Sequence, residues 1–165
     1  MNNAKSVALG GMLAAASVVV MCLGGLIPLA TYVCPTICIL ACQVVVLLTS
    51  KRVGWAWYGC VNILCALLAP DKEAAAVFVC LGYYPLIKPY LEKLPLSILW
   101  KLLFFNGAVL AMYGILIYLF GMAYLAAEYA EMGIVMLGVL LVLGNATFFL
   151  LDVLLTRASK LTKKR

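Results

Sequence analysis

The sequence predicts an all-α integral membrane protein: a compact six-helix transmembrane bundle with its N- and C-termini in the cytoplasm. Three observations carry that prediction. Hydrophobic residues make up 67% of the 165 positions and charged residues only 11%, which leaves no stretch for a separate soluble domain. The charges fall in short clusters between apolar runs, and these runs delimit spans at 7–29, 34–49, 54–69, 74–87, 98–121 and 134–155. With the N-terminus inside, Lys5, Lys51, Arg52, Lys88, Lys93, Lys101, Arg157, Lys160, Lys163, Lys164 and Arg165 all collect on the inner side, and only Lys72 faces out. Loop Lys/Arg asymmetry sets orientation during insertion. Residues 1–155 therefore read as one transmembrane domain and 156–165 as a basic cytoplasmic tail. The net charge of +6 sits at membrane boundaries, where it attracts anionic headgroups, and does not call for nucleic acid.

The first span carries small residues at four-residue spacing, with Ala4 before Ala8, Gly10 before Ala14 and Gly11 before Ala15. In lipid, helices associate through close backbone approach rather than hydrophobic drive, so this span is expected to contact another helix, inside the bundle or outside it. Pro28 and Pro35 bracket the first outer connection, 28–36, and each disfavours helix in the residue before it, so this segment reads as a short, stiff loop. The second to fourth spans are shorter than the ~20 residues a bilayer needs, and flanking Thr31, Tyr32, Trp55 and Trp57 complete them. Cys34, Cys38 and Cys42 share one helix face, but the chain has no histidine. Small apolar packing explains these thiols, and no metal site is expected.

In the second outer loop, Asp71 is placed to cap the fourth span and Glu73 to sit at that helix's positive end, leaving Lys72 without an obvious duty. Pro85 and Pro89 are expected to end or kink the fourth span near the inner surface. A short inner loop, 92–97, leads to the fifth span, and a polar outer loop, 126–133, to the sixth. Asn62, Asn106 and Asn145 fall in the inner half of the bilayer, where amides either bond across helices or contact substrate. Asp152 lies near the inner boundary, within reach of Arg157 or Lys101. No phosphate-binding loop, zinc-protease helix or nucleophile elbow is present. Neither catalysis nor a cofactor is expected, and a chain with no energy source of its own reads as one subunit of a larger assembly.

The opening Lys5-Ser6-Val7-Ala8-Leu9-Gly10-Gly11-Met12-Leu13-Ala14-Ala15 and the later Leu68-Ala69-Pro70-Asp71-Lys72-Glu73-Ala74-Ala75 resemble the substrate-binding S components of energy-coupling factor (ECF) transporters, as do size and span count. That resemblance implies capture of a vitamin or similar micronutrient from outside a bacterial cytoplasmic membrane. Release inside follows as the subunit topples against a transmembrane coupling subunit served by two ATPases. It further implies docking through a small-residue face at Ala4, Ala8, Gly11 and Ala15. The pocket it implies lies at the outer ends of spans four to six and the first two outer loops, where Tyr32, Thr36, Lys72, Tyr83, Tyr84, Tyr113 and Asn145 are the candidates. Tyrosine offers a flat apolar face and one hydroxyl, although tyrosines equally form interfacial belts. The competing readings are a non-transporting membrane scaffold whose first helix recruits a partner and, with less behind it, a small enzyme acting on lipid headgroups.

Overall fold

The computed structural model describes residues 3–24, 30–118, 121, 127, 131 and 133–163, and these contain helices and no strand. The helices are α1 (Asn3–Gly24), α2 (Ala30–Leu48), α3 (Lys51–Leu68), α4 (Lys72–Leu81), α5 (Tyr84–Leu91), α6 (Ser97–Tyr118) and α7 (Gly133–Lys163). Five stretches are long and apolar enough to cross a membrane: Ala4–Gly24, Thr31–Leu48, Lys72–Leu91, Ser97–Tyr118 and Gly133–Lys160. The third expected span falls on α3, which is not among the five. Lys51, Arg52 and Asn62 lower its hydropathy, and Trp55, Trp57 and Tyr58 add little to it.

Three boundaries differ from the sequence reading. The expected loop 28–36 is helical from Ala30 onward, and Pro35 lies inside α2. Proline at that position, in the second turn, gives up the bond to the Thr31 carbonyl, and the helix forms around it. Thr36 Oγ1 meanwhile donates to the Tyr32 carbonyl at 2.8 Å. The fourth span breaks at Gly82-Tyr83 rather than at its prolines: α4 ends on Gly82, whose N–H bonds Phe78 O at 2.7 Å. Pro85 then occupies the first turn of α5, where its missing N–H would have had no helical partner. The helix of the sixth span passes its expected end at residue 155, since α7 runs without interruption to Lys163. The outer loop 126–133 lies largely outside the described residues.

α2 is the central helix, touching α1, α3, α4, α5 and α7. Its buried side is made of small or slim residues: Cys34, Cys38, Ile39, Cys42 and Val45. The three thiols are therefore core atoms, and Cys38 Sγ faces the Ser17 carbonyl at 3.5 Å. Among the described residues no group of side chains is arranged to hold a metal ion. A second, smaller core joins α4 to α6 through Val77, Met112 and Leu116.

Two helix starts are capped by side chains, which satisfy backbone donors left without an intrahelical partner. Ser50 caps α3 through Val53 N, and Asp71 Oδ1 accepts from Glu73 N at 3.0 Å and Ala74 N at 3.1 Å to start α4. Glycine matters at the α4–α5 break. A Cβ on Gly82 would lie 2.4 Å from Phe78 O, whereas one on Gly11 would meet nothing within 4 Å. Gly82→Ala is accordingly expected to destabilise the purified protein by about 1–3 kcal/mol, the usual cost of overpacking. Gly11→Ala should leave stability unchanged or slightly raised. Thermal unfolding in detergent distinguishes the two, and equal behaviour would refute the close approach at the break.

Candidate functional site

Polar side chains gather at the two ends of the bundle. At one end, the N-terminus of α4 meets α2 and α6. Thr31 Oγ1 donates to Asp71 Oδ2 at 2.7 Å. Tyr32 Oη and Tyr113 Oη both donate to Glu73 Oε1, at 2.9 and 3.3 Å. Lys72, between the two acids, turns the other way. Its Nζ donates to the Ala66 and Ala69 carbonyls at 3.0 Å each, which places a cation at the negative end of α3. The duty that the sequence left open for Lys72 is thus helix capping. Tyr32, Lys72 and Tyr113 come together at this end with Thr36 nearby on α2, all four being candidates for the pocket. Glu73, which gathers the two tyrosine hydroxyls, was visible in the sequence only as a helix-terminal acid.

Tyr83, Tyr84 and Asn145 are elsewhere. Tyr83 belongs to an aromatic run that links α3 to α6: its ring lies 5.8 Å from Tyr58 and 5.6 Å from Phe104. Tyr84 is fully buried, stacked on Phe104 at 5.6 Å and edge-on to Phe148 at 4.9 Å. Asn145 pairs reciprocally with Asn106 across α6 and α7, at 3.1 and 3.3 Å. Each amide also donates to the carbonyl four residues before it, Leu102 O at 2.9 Å and Leu141 O at 2.8 Å. That pair is interhelical glue of the kind expected in lipid. Asn62 does not join it, and its buried Oδ1 has no hydrogen-bond partner.

The opposite end holds a buried ionic cluster. Asp152 Oδ2 accepts from Lys101 Nζ at 2.8 Å, and Oδ1 accepts from Tyr84 Oη at 2.6 Å and from Lys88 Nζ. Lys88 Nζ also donates to the Asp152 carbonyl at 2.6 Å and Thr156 Oγ1 at 2.7 Å. Glu92 stands 3.6 Å from both ammonium groups. The side chains of Lys88, Lys101 and Asp152 are 7%, 9% and 11% exposed, against 43% for Glu92, so three of the four charges are inside the protein. Lys101 was a named partner for Asp152 from the sequence, while Lys88 and Tyr84 were not. Their spacing along α5 (one turn apart) and the inward turn of that helix were the missing signals. No contact between Asp152 and Arg157 is observed.

The small-residue stripe on α1 divides into two. Gly10 is buried, with Val53 at 3.8 Å from its Cβ position, whereas Ala4, Ala8, Gly11 and Ala15 are all exposed. α1 packs chiefly against α2 and α3, and this second stripe stays exposed beside them.

Breaking the buried cluster on one side leaves uncompensated charge in an apolar setting, a loss of about 3–5 kcal/mol. Asp152→Ala, which sets Lys88 and Lys101 against each other, should therefore lower the unfolding temperature sharply. The triple replacement Lys88→Met, Lys101→Met, Asp152→Leu removes all three charges and should recover most of the loss. A single variant as stable as the parent would show that the cluster does not hold the helices.

No family model, curated protein or solved structure matches the chain.

Proposed function

We propose that this chain is the substrate-binding S component of an ECF-type importer, a multi-pass protein of the bacterial cytoplasmic membrane with both termini inside. The observation that carries the reading is the free stripe of Ala4, Ala8, Gly11 and Ala15 along a membrane-length helix. Small residues permit close backbone approach and are enriched where membrane helices meet, and among the described residues this stripe stays exposed. In this reading α1 docks on the transmembrane coupling subunit, which two ATPases drive.

The end that carries Glu73, Tyr32 and Tyr113 then faces outward and receives the micronutrient. The Asp152 cluster lies at the inner end, in keeping with the positive-inside distribution of the other cations. Lys72 is engaged by backbone carbonyls, so the outer end presents acid and phenol groups. It suits a ligand with an aromatic or heterocyclic ring and hydrogen-bond donors better than an anion.

The alternative, a non-transporting scaffold, draws support from a different fact: Lys72, Tyr84 and Asn145 all direct their polar atoms to partners inside the chain. Both readings use the α1 stripe, and they part over a ligand and the associated subunits. Purification of the tagged chain from native membranes should recover a coupling subunit and two ATPases together with ligand-binding activity. Ala8→Trp or Gly11→Trp should abolish that recovery and uptake while leaving ligand binding and thermal stability of the isolated protein intact. Recovery of partners with no ATPase among them would favour the scaffold, and association untouched by either tryptophan would discard the docking face.

A further inference from the structure

The buried cluster at the inner end is not charge-neutral on its own. Lys88 and Lys101 supply two positive charges and Asp152 one negative charge, so the enclosed trio carries a net +1. Only Glu92 offsets it, and that carboxylate sits 3.6 Å from each ammonium, beyond the 2.7–2.9 Å of a charge-assisted hydrogen bond. The two lysines also differ. Lys88 has three acceptors for its three N–H groups: Asp152 Oδ1, the Asp152 carbonyl and Thr156 Oγ1. Lys101 has one hydrogen bond, to Asp152 Oδ2, and an ammonium offers three donors. Among the described residues, the rest of its donor capacity faces only the loosely held, half-exposed Glu92.

On the adjoining segment 94–102 runs an open, mostly apolar groove of about 520 Å³, lined by Leu94, Leu96, Ser97, Ile98, Leu99 and Leu102. Lys101 and Glu92 do not line it, but they lie within one helical turn of residues that do. Ser97 and Lys101 are one turn apart on α6 and therefore neighbours on its surface, and Glu92 precedes Leu94 by two residues in the same corner. The corner is held in an unusual shape, with Leu96 at φ 58°, a left-handed conformation that costs a non-glycine residue roughly 1–2 kcal/mol. Lys93 adds an exposed cation at its rim. A soluble anion would use Lys101 and leave the leucines idle, whereas an amphiphile with an anionic head uses both halves.

We propose that the corner between α5 and α6 is a binding site for an anionic phospholipid, whose phosphate displaces Glu92 at Lys101 while an acyl chain lies in the leucine groove. Basic pockets between helices at the cytoplasmic face recognise such headgroups. The site does not depend on the importer reading and would serve a scaffold equally.

Trp100, 44% exposed on α6 beside Leu99, is a built-in reporter. The full chain is reconstituted in phosphatidylcholine vesicles holding the same minor fraction of dibrominated phosphatidylglycerol or dibrominated phosphatidylcholine. The Trp100 component is obtained by difference from Trp100→Phe. The brominated anionic lipid should quench it more strongly than the brominated neutral one. Lys101→Met leaves Lys88 and Asp152 as a one-to-one pair and should weaken the preference by about fivefold, the effect of one interfacial cation. Glu92→Gln removes the competing carboxylate and should strengthen it, and this variant carries the test if Lys101→Met fails to fold. Equal quenching by the two lipids would overturn the proposal. So would a preference indifferent to Lys101→Met in a folded protein, or one that Glu92→Gln leaves unchanged or weakens.

Discussion

One carboxylate fixes the relation of three helices. Only 17% of the apolar window of α6 and 11% of that of α7 is buried within the chain, and lipid supplies no hydrophobic force to bring such helices together. What joins them is polar and local: Asp152 to Lys101, Asn106 to Asn145, and between these two links the stacked rings of Phe105 and Phe148 at 4.8 Å. The Phe105 ring packs over Gly144. Asp152 reaches further, taking in α5 through Lys88 and Tyr84. A buried ion pair is a poor source of net stability, because desolvation offsets most of the attraction. Its consequence here is geometric: with two lysines and a phenol converging on one carboxylate, only one register of α5, α6 and α7 satisfies every group.

The other half of the molecule is built on different physics. α1, α2 and α3 pack through small side chains, with Cys38, Cys42 and Val45 in the middle and Gly54 closing α3 onto Val46 and Leu86. Close approach multiplies weak dispersion contacts, which are the main resource of helices in lipid. The α4–α5 break connects the two halves. It turns Tyr84 and Lys88 toward α7 while Tyr83 stays among the rings of Trp55, Tyr58 and Phe104. Adjacent tyrosines thereby take different partners while sharing the Phe104 ring.

The division has a functional counterpart in the proposed importer. A subunit that docks through one helix and moves as a body needs a smooth, weakly charged surface there, and the exposed face of α1 carries Lys5 as its one charge among the described residues. The polar groups at the Glu73 end and the Asp152 end lie at opposite termini of the Lys72–Leu91 segment, so each can meet a different aqueous face without placing a charge at mid-depth.

Composition and the spacing of charges by themselves determined the class of the protein, because apolar runs of this length have no stable alternative to helices in lipid. They also determined the Asp71 cap and the embedded cysteines, which are local properties. Tertiary structure decided the rest. The 28–36 segment read as a loop because prolines at both ends speak against helix, yet α2 forms from Ala30 with Pro35 inside it, fully enclosed by its packing against neighbouring helices. Tyr84 and Asn145 stood with Tyr32 and Tyr113 as pocket candidates because position along a span says nothing about the direction a side chain faces. Asp152 sits 64 positions from Lys88 and 51 from Lys101, and no local pattern encodes which of several lysines will turn into the bundle. That choice belongs to the packing of α5 against α7, where burying a carboxylate requires cations to follow it.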